Sequence, residues 1–309
     1  MMEKARLSRE ALDRWVTCRR ARIALLIGGG SGHEPIYHGL VGKNMGDGAA
    51  AGDIFAAPSP DIIMDCAKAV HKGKGVLFLY GNYAGDVMNF DMAQEDLQDE
   101  GIDVRTVLIW DDISSAPPDR KKDRRGVAGL LMIVKIAGAA AACVDSLDEL
   151  ERIATKARDN TRSLGVAMKA GSIPATGKPT FELPDDELEI GMGVHGEAGV
   201  ERAKMMTAAE LVPKMMDGIF NDDLELNSGD DVVLFVNSFG ATTWTELLIV
   251  NKEVRKILAE KGIGVHATVV GPIVTCQEMA GFSISVTKVD DELKKYWDMP
   301  ASSLGFSKM

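Results

Sequence analysis

The first half of the chain alternates short, almost wholly apolar runs with segments of helical periodicity. The runs at residues 23–27, 75–80 and 104–110 have the length of strands, and their continuous apolar character is typical of strands buried on both faces. Helical spacing of apolar residues covers 61–71, where glycines follow the last periodic residue, and a second predicted helix covers 91–100. This alternation predicts a parallel sheet covered by helices, so the fold class is α/β.

The same alternation continues beyond a boundary that we place near residue 160. Two predicted helices, at 126–143 and 146–162, close the first half. We therefore predict two α/β domains, residues 1–160 and 161–309, each a mainly parallel or mixed sheet covered by helices. The predicted elements of the second half are strands at 164–168, 188–194, 232–237, 265–270 and 283–289, and a helix over 243–261.

Composition and charge exclude several classes of protein. The 309 residues are 46% hydrophobic and 26% charged, as in a soluble globular chain rather than a disordered one. The net charge of −11 disfavours binding to nucleic acid or to an anionic membrane surface.

Lys135 lies at the centre of the longest apolar stretch, 126–144, which we therefore interpret as a buried helix. The widely spaced cysteines and the absence of a visible export signal favour a reducing cytoplasm.

A glycine-rich segment, GGGSGHEP at residues 28–35, directly follows the first predicted strand. Glycine lets the backbone approach a ligand closely, and open α/β sheets bind ligands at the carboxyl ends of their strands. We therefore predict a substrate loop containing Ser31 and His33, since a plain tight turn needs fewer glycines. The spacing matches neither a Rossmann fingerprint nor a P-loop, and Tyr37 stands where an H-E-x-x-H zinc motif needs histidine. We expect no metal and no nucleotide cofactor in this chain.

Two further polar segments follow predicted strands. Asp86, within 81–90, is either a helix cap or a site acid, because an unpaired carboxylate is costly to bury. Taken alone, the preference of Asp for N-cap positions favours the cap. His195 stands among glycines in 191–199. A histidine and a carboxylate together commonly transfer a proton to or from a hydroxyl. One hypothesis is therefore that Asp86 and His195 meet His33 in one pocket. The alternative is that the three residues lie in separate structural turns.

At these segments the sequence resembles the dihydroxyacetone-binding subunit of dihydroxyacetone kinase, the DhaK family. The matching set runs in order from about residue 23 to 298, which makes it far more specific than any single glycine loop. The resemblance implies a cytoplasmic homodimer of two-domain α/β subunits that acts in glycerol metabolism. The matching segments are 28–35, 52–56 with Pro58, 82–90, 124–128, 177–179, 194–197, Asn237 with 240–242, and 281–284.

The resemblance also implies roles for the polar residues. His195 would attack the carbonyl of a short-chain ketose such as dihydroxyacetone and hold it as a covalent hemiaminal, which selects ketones over glycerol. Asp86 would be the base that takes the proton from the hydroxyl being phosphorylated, and His33 would hydrogen-bond and help to activate it. The remaining pocket residues beside the substrate would be Gly30, Ser31 and Gly32.

Phosphoryl transfer requires a donor whose charge is neutralised by a metal, and the sequence has neither a Walker loop nor an aspartate cluster for magnesium. In the DhaK family a separate helical subunit, DhaL, carries ADP or ATP with magnesium. The donor is ATP in some systems and a phosphotransferase-system phosphoprotein in others. The resemblance therefore implies a DhaL-type partner for this chain.

The sequence departs from the family at two places. Gly81 stands where the family commonly has a substrate-contacting lysine, and loss of that donor enlarges the site and suggests a four-carbon ketose such as erythrulose as an alternative substrate. The first 22 residues match poorly, so we expect a truncated start or a replaced first helix. A competing hypothesis is a non-catalytic paralogue that senses dihydroxyacetone for a transcriptional regulator. Retention of His33 and Asp86 beside His195 favours the kinase subunit.

Overall fold

The computed structural model describes residues 22–309, so the predicted change at the start of the chain lies outside the described residues. The described part contains seven α-helices and fifteen strands. The helices are α1 Pro60–Val70, α2 Ala84–Asp99, α3 Leu130–Ala141, α4 Leu147–Asp159, α5 Ala208–Phe220, α6 Trp244–Glu260 and α7 Asp291–Asp298. The strands are β1 Ala24–Ser31, β2 Gly42–Lys43, β3 Gly48–Ile54, β4 Val76–Gly81, β5 Val104–Ile109, β6 Thr161–Lys169, β7 Ser172–Ile173, β8 Lys178–Pro179, β9 Glu187–Ile190, β10 Glu201–Lys204, β11 Asp231–Ser238, β12 Gly264–Gly271, β13 Ala280–Val289, β14 Ala301–Ser303 and β15 Ser307–Lys308.

The first sheet has the order β3-β1-β4-β5 and is parallel throughout. Alternate residues of β1 face opposite layers: Leu26 packs with α1 and α2, whereas Leu25 and Ile27 pack with α3 and α4. Burial on both faces explains the continuous apolar runs in the sequence. The α/β fold class predicted from those runs is confirmed.

The second sheet is mixed, with the order β10-β9-β6-β13-β11-β12, and only β11 and β12 pair in parallel. One face packs against α5 and α6. The opposite face places Val233 and Phe235 of β11 in the core cluster that contains α3. Helix α3 is therefore enclosed between the two sheets, and every one of its residues is buried. A helix that is apolar on all sides needs this environment, and the buried-helix interpretation of the sequence is confirmed.

The two halves of the chain are joined by its last elements. All strands of the first sheet precede residue 160 and all strands of the second follow it. However, α7 packs against α3, and β14 pairs with β2 of the first half. We propose the boundary between the two units near residue 160, with a core that both units share. No helix within residues 22–309 is long and apolar enough to span a bilayer.

Several predicted boundaries were wrong. Helix α2 begins at Ala84 rather than at residue 91. The prediction missed this first turn because Gly85 lowers its helix propensity. Strand β9 ends at Ile190 rather than at 194, because Gly191 takes a φ of 82° and turns the chain. Helices α5 and α7 were not predicted. Other shifts of three or four residues are the start of α3 (Leu130 rather than 126), the end of α4 (Asp159 rather than 162), the end of β1 (Ser31 rather than 27) and the starts of β6 and β13 (Thr161 rather than 164, and Ala280 rather than 283).

Lys135 is the one charged residue within the buried helix α3. Its side chain is fully buried, and Nζ donates a hydrogen bond of 2.7 Å to the carbonyl oxygen of Tyr296 in α7. Burial lowers the pKa of Lys135 from 10.5 to about 8. The folded chain therefore releases this proton at a lower pH than the unfolded chain does.

We expect the Lys135→Met variant to lose a pH dependence of stability. Between about pH 8 and 10.5 the unfolded wild-type chain binds more protons at residue 135 than the folded chain does, so its free energy of unfolding rises with pH. Between pH 7.5 and 9.5 the wild type should gain about 1–2 kcal/mol relative to the variant. Urea titrations of both proteins at the two pH values measure this difference. Parallel pH dependences of the two proteins would show that folding does not lower the pKa of Lys135.

Candidate active site

The loops that follow two neighbouring strands meet at one edge of the first sheet. Strands β1 and β4 pair directly in parallel, so the loops after Ser31 and Gly81 leave the sheet side by side. The first of these loops carries His33, and the second leads into α2, whose first turn carries Asp86. A third loop, after β9 of the second sheet, places His195 opposite them, and all three side chains line one cavity of about 30 Å³. The structure thus brings together the three residues singled out in the sequence.

Close packing explains two glycines of the predicted substrate loop, which the structure places at the end of β1. A Cβ atom at Gly29 would overlap the hydroxyl of Tyr37, and one at Gly30 would lie 2.9 Å from the backbone nitrogen of Ala56. Neither position can carry a side chain without displacing its neighbour. Gly30 borders the cavity directly, as does the ring of Tyr37.

The other two predicted pocket residues of this loop lie outside the cavity lining. The hydroxyl of Ser31 donates a 2.7 Å hydrogen bond to the carbonyl oxygen of Gly52 in β3. The backbone N–H of Gly32 donates to the carboxylate of Glu34 at 3.0 Å. Both residues therefore stabilise the shape of the loop in this state of the protein.

The rings of His33 and His195 lie against each other across the cavity. Nδ1 of His33 is 2.7 Å from the carbonyl oxygen of Thr275, and Nδ1 of His195 is 3.0 Å from Oε1 of Glu197. Their Nε2 atoms are 3.0 Å apart. A carbonyl and an ionised carboxylate only accept hydrogen bonds, so both Nδ1 atoms carry protons.

The close approach of the two rings affects the protonation of His33. Burial, followed by the proximity of His195, lowers the pKa of His33 to about 4. The ring of His33 is therefore neutral at neutral pH, and the lone pair on its Nε2 faces Nε2 of His195.

Glu197 holds His195 in place through both backbone and side chain. Its carboxylate accepts hydrogen bonds from the backbone N–H of His195 at 2.9 Å and from the ring Nδ1–H at 3.0 Å. Arg125 lies 3.8 Å away on the other side. Although burial opposes ionisation, the hydrogen bond and charge of His195 lower the pKa of Glu197 to about 2. The carboxylate thus orients Nε2 of His195 toward the cavity.

Asp86 lies in the first turn of α2, but it is not the N-cap, a position occupied by Tyr83. Its side chain is buried, and Oδ1 has no hydrogen-bond partner among residues 22–309. Burial raises the pKa of Asp86 to about 6, against the opposing influence of His195. A carboxylate with this pKa is ionised at neutral pH and can accept a proton from a hydroxyl, as a general base does.

Three aromatic residues that the sequence did not single out enclose the histidine pair. The ring centroid of Phe55 lies 5.1 Å from that of His33, and the centroid of Tyr83 lies 5.1 Å from that of His195. Tyr37 forms a further wall. Polar groups therefore face the cavity at only a few points, an arrangement typical of sites for small molecules.

Comparison with known proteins gives the family of this chain. The profile of the Dak1 domain matches residues 2–305, almost the whole chain. The chain belongs to the Dak1 family. The DhaK resemblance seen in the sequence is thereby confirmed. Among residues 22–309 of this Dak1 protein, no group of three histidine, cysteine or acidic side chains is arranged to hold a metal ion.

Two Dak1 relatives differ in how much of their length this chain covers. The dihydroxyacetone-binding subunit DhaK of PTS-dependent dihydroxyacetone kinase 2 from Listeria innocua is 44% identical over 282 residues, covering 91% of this chain and 84% of that protein. The L-erythrulose 1-kinase of Mycolicibacterium smegmatis is 41% identical over 288 residues, covering 92% of this chain. The Dak1 chain spans only 50% of that kinase.

Solved structures show the same contrast. The dihydroxyacetone kinase operon co-activator Dha-DhaQ aligns with a TM-score of 0.88 at 31% identity, covering 93% of this Dak1 chain and 89% of its own. The dihydroxyacetone kinase of C. freundii in complex with AMP-PNP and Mg²⁺ aligns with a TM-score of 0.84 at 30% identity. That alignment covers 94% of this chain but 53% of the kinase.

Proposed function

We propose that this chain is the substrate-binding subunit of a dihydroxyacetone kinase. It captures a short-chain ketose on His195 and presents a hydroxyl of that ketose to a phosphoryl donor held by a partner. The observation that carries this proposal is the meeting of His33, Asp86 and His195 in one cavity, with Glu197 fixing the ring of His195. The similarity to a DhaK subunit over most of both chains supports the same conclusion.

Covalent capture uses the lone pair of His195. In the neutral ring, Nδ1–H donates to Glu197 and the lone pair lies on Nε2. That lone pair attacks the carbonyl carbon, the carbon–oxygen π electrons move to the oxygen, and that oxygen takes up a proton from solvent. The product is a hemiaminal on a positively charged ring, and the carboxylate of Glu197 balances that charge.

Phosphoryl transfer then uses Asp86. Its unpaired Oδ1 accepts the proton of the ketose hydroxyl as that oxygen attacks phosphorus, and the bond between phosphorus and the donor's leaving group breaks. The phosphoryl group comes from ATP, held with magnesium on a DhaL-type partner, or from a phosphotransferase-system phosphoprotein. The AMP-PNP complex of a kinase about twice as long as this chain is consistent with a separate donor unit.

The assembly we propose is a cytoplasmic homodimer. Strand β12 forms one end of the second sheet and has a neighbour on one side only. Beside it, Trp244 and Leu248 of α6 are 58% and 52% exposed. An open sheet edge flanked by exposed apolar side chains suits a second copy of the chain. Light scattering measures the mass of the assembly, and a monomer at micromolar concentration would contradict this part of the proposal.

The proposal is tested by reconstituting the reaction. The purified chain, a DhaL-type subunit and ATP with magnesium should convert dihydroxyacetone to its phosphate, and omission of either protein should abolish the product. Phosphoenolpyruvate with the phosphotransferase-system proteins replaces ATP in a parallel assay, and erythrulose replaces dihydroxyacetone in both. If no combination yields a phosphorylated ketose, the kinase function is wrong.

A second candidate function is that of a ligand-sensing co-activator. The similarity to Dha-DhaQ over almost the whole length of both chains favours it. A sensor needs the capturing His195, but it has no use for a base beside the substrate hydroxyl. The buried and unpaired carboxylate of Asp86 therefore supports the kinase subunit.

A further inference from the structure

The loop that carries His195, residues 191–199, belongs to the second unit, whereas His33 and Asp86 belong to the first. A reaction that uses all three side chains therefore depends on how this loop is held against the first unit. Arg125, in the segment between β5 and α3 of the first unit, contacts the loop at two points.

The guanidinium of Arg125 joins a buried carboxylate of the first unit to this loop. Its Nε donates a hydrogen bond of 3.0 Å to Oδ2 of Asp112, and its Nη2 donates one of 3.1 Å to the carbonyl oxygen of Gly191. Its Nη1 lies 3.8 Å from Oε2 of Glu197, which is within ion-pair range but too long for a hydrogen bond. Because the guanidinium is planar and carries five N–H donors, one side chain can make all three contacts at once.

Gly193 leaves room for the approach of Arg125 to Glu197. A Cβ atom at Gly193 would overlap both Nη1 of Arg125 and Oε2 of Glu197. The φ of Gly193 lies outside the left-handed region, so its backbone conformation does not require glycine. The close approach of the two charged side chains is therefore the reason for a glycine at this position.

The contact with Arg125 bears on the ring of His195 through Glu197. Oε1 of Glu197 accepts the Nδ1–H of that ring, while Oε2 accepts the backbone N–H of His195 and faces Arg125. The side chain of Glu197 is 37% exposed and that of Arg125 only 14%, so the arginine is the more firmly held partner. A carboxylate that moved away would take the ring with it, and attack on a carbonyl requires close alignment of the nucleophile.

We propose that Arg125 is a positioning residue for capture of the ketose. Anchored on Asp112, it holds the His195 loop against the first unit and keeps Glu197 where its carboxylate directs Nε2 of His195 at the carbonyl carbon. Arg125 does not itself line the cavity. This inference rests on the proposed function, because it assumes a ketose bonded to His195.

The first test is Arg125→Met, which removes the charge and the donors of the side chain. Alignment of the nucleophile matters only for a ligand with a carbonyl. We therefore expect the affinity for dihydroxyacetone, measured by calorimetry, to fall about tenfold, and the affinity for glycerol, measured by competition, to stay as in the wild type. With carbonyl-labelled dihydroxyacetone at saturation, carbon-13 NMR should show a smaller share of tetrahedral carbon than in the wild type.

A purely structural role would give a different result. It would lower the affinities for both ligands together and leave the share of tetrahedral carbon at saturation unchanged. That result, or wild-type values for the ketose, would overturn the positioning role of Arg125.

Arg152→Met is the matched control for this replacement. Arg152 also pairs with two carboxylates, those of Glu149 and Glu292, but it lies at the surface on α4 and outside the cavity lining. Its affinities for both ligands should match those of the wild type. The thermal unfolding midpoint of each variant checks that it is folded.

The second test is Gly193→Ala, which disturbs the same contact without removing a charge. The new methyl group would separate Arg125 from Glu197, so ketose affinity should again fall while glycerol affinity is retained. This variant also keeps the proposal testable if Arg125→Met does not fold. Wild-type ketose affinity and a wild-type share of tetrahedral carbon in Gly193→Ala would overturn the proposal.

These tests separate failure of the positioning role from failure of the proposed function. If the wild type forms no hemiaminal, capture by His195 is wrong and the role of Arg125 falls with it. If the wild type forms the hemiaminal and the variants at residues 125 and 193 form it equally well, the role of Arg125 alone is wrong.

Discussion

The Asp86→Asn variant should lose phosphoryl transfer by about 10²- to 10⁴-fold and still bind its ketose. The amide has nearly the shape of the carboxylate, but it cannot accept a proton from the attacking hydroxyl. Capture on His195 does not use this carboxylate, so the hemiaminal should still form. Turnover is measured with the donor partner and saturating ketose, and binding by calorimetry on the same preparation.

Asp91→Asn is the matched control, because Asp91 lies on the same helix and is exposed. That variant should retain wild-type turnover. A variant at Asp86 that still turns over at the wild-type rate would show that another group removes the proton. If the chain instead acts as a co-activator, Asp86→Asn should signal normally and no turnover should be found in the wild type.

The pH profile of the wild type should follow Asp86. Because its pKa is raised to about 6, the carboxylate is ionised above that pH and becomes protonated below it. Turnover at saturating ketose should therefore decline as the pH falls through about 6. The residual activity of Asp86→Asn should lack this decline.

Replacing His195 with alanine has the second large effect. Without the nucleophile, the site must hold the ketose by hydrogen bonds alone, and we expect affinity to fall by about 10²-fold or more. Selectivity should fall as well, because glycerol lacks only the carbonyl that His195 attacks. Competition between glycerol and the ketose measures this loss.

His71→Ala is the control for this replacement, since His71 follows α1 and lies outside the cavity lining. Its affinity and its selectivity should match those of the wild type. Undiminished affinity in His195→Ala would mean that the ketose is held without a covalent bond.

Local sequence signals are enough to predict part of this site. Strands buried on both faces leave continuous apolar runs, and the glycines after them mark the loops that bind a ligand, so residues 28–35 stand out. The pairing of β1 with β4 explains why His33 and Asp86 come together. Parallel strands leave the sheet at the same edge, which is a consequence of topology that the alternation of elements already implies.

Contacts across the fold leave no comparable signal. The carbonyl oxygen that fixes the ring of His33 belongs to Thr275, 242 residues further along the chain. Any residue type supplies that carbonyl, so no composition or spacing marks it. Glu197 could have been identified from the sequence, because an acid two residues after His195 in a glycine-rich turn is close enough to hydrogen-bond to its ring.

Asp86 shows why a local preference can mislead. Its place near a helix start agrees with the frequent occurrence of aspartate at N-caps, which favours a structural role. The structure begins α2 at Ala84 and leaves one carboxylate oxygen of Asp86 unpaired in the cavity. The position of the helix start relative to the cavity decides between the two interpretations, and that position depends on packing.

The central claim is covalent capture of a ketose by His195, and carbon-13 NMR tests it most directly. Dihydroxyacetone or erythrulose labelled at the carbonyl carbon is added to the purified protein and, in parallel, to His195→Ala. The account predicts a protein-bound signal that moves from the carbonyl region to the region of tetrahedral carbon in the wild type and is missing in the variant. A bound ketose whose labelled carbon stays in the carbonyl region would contradict it.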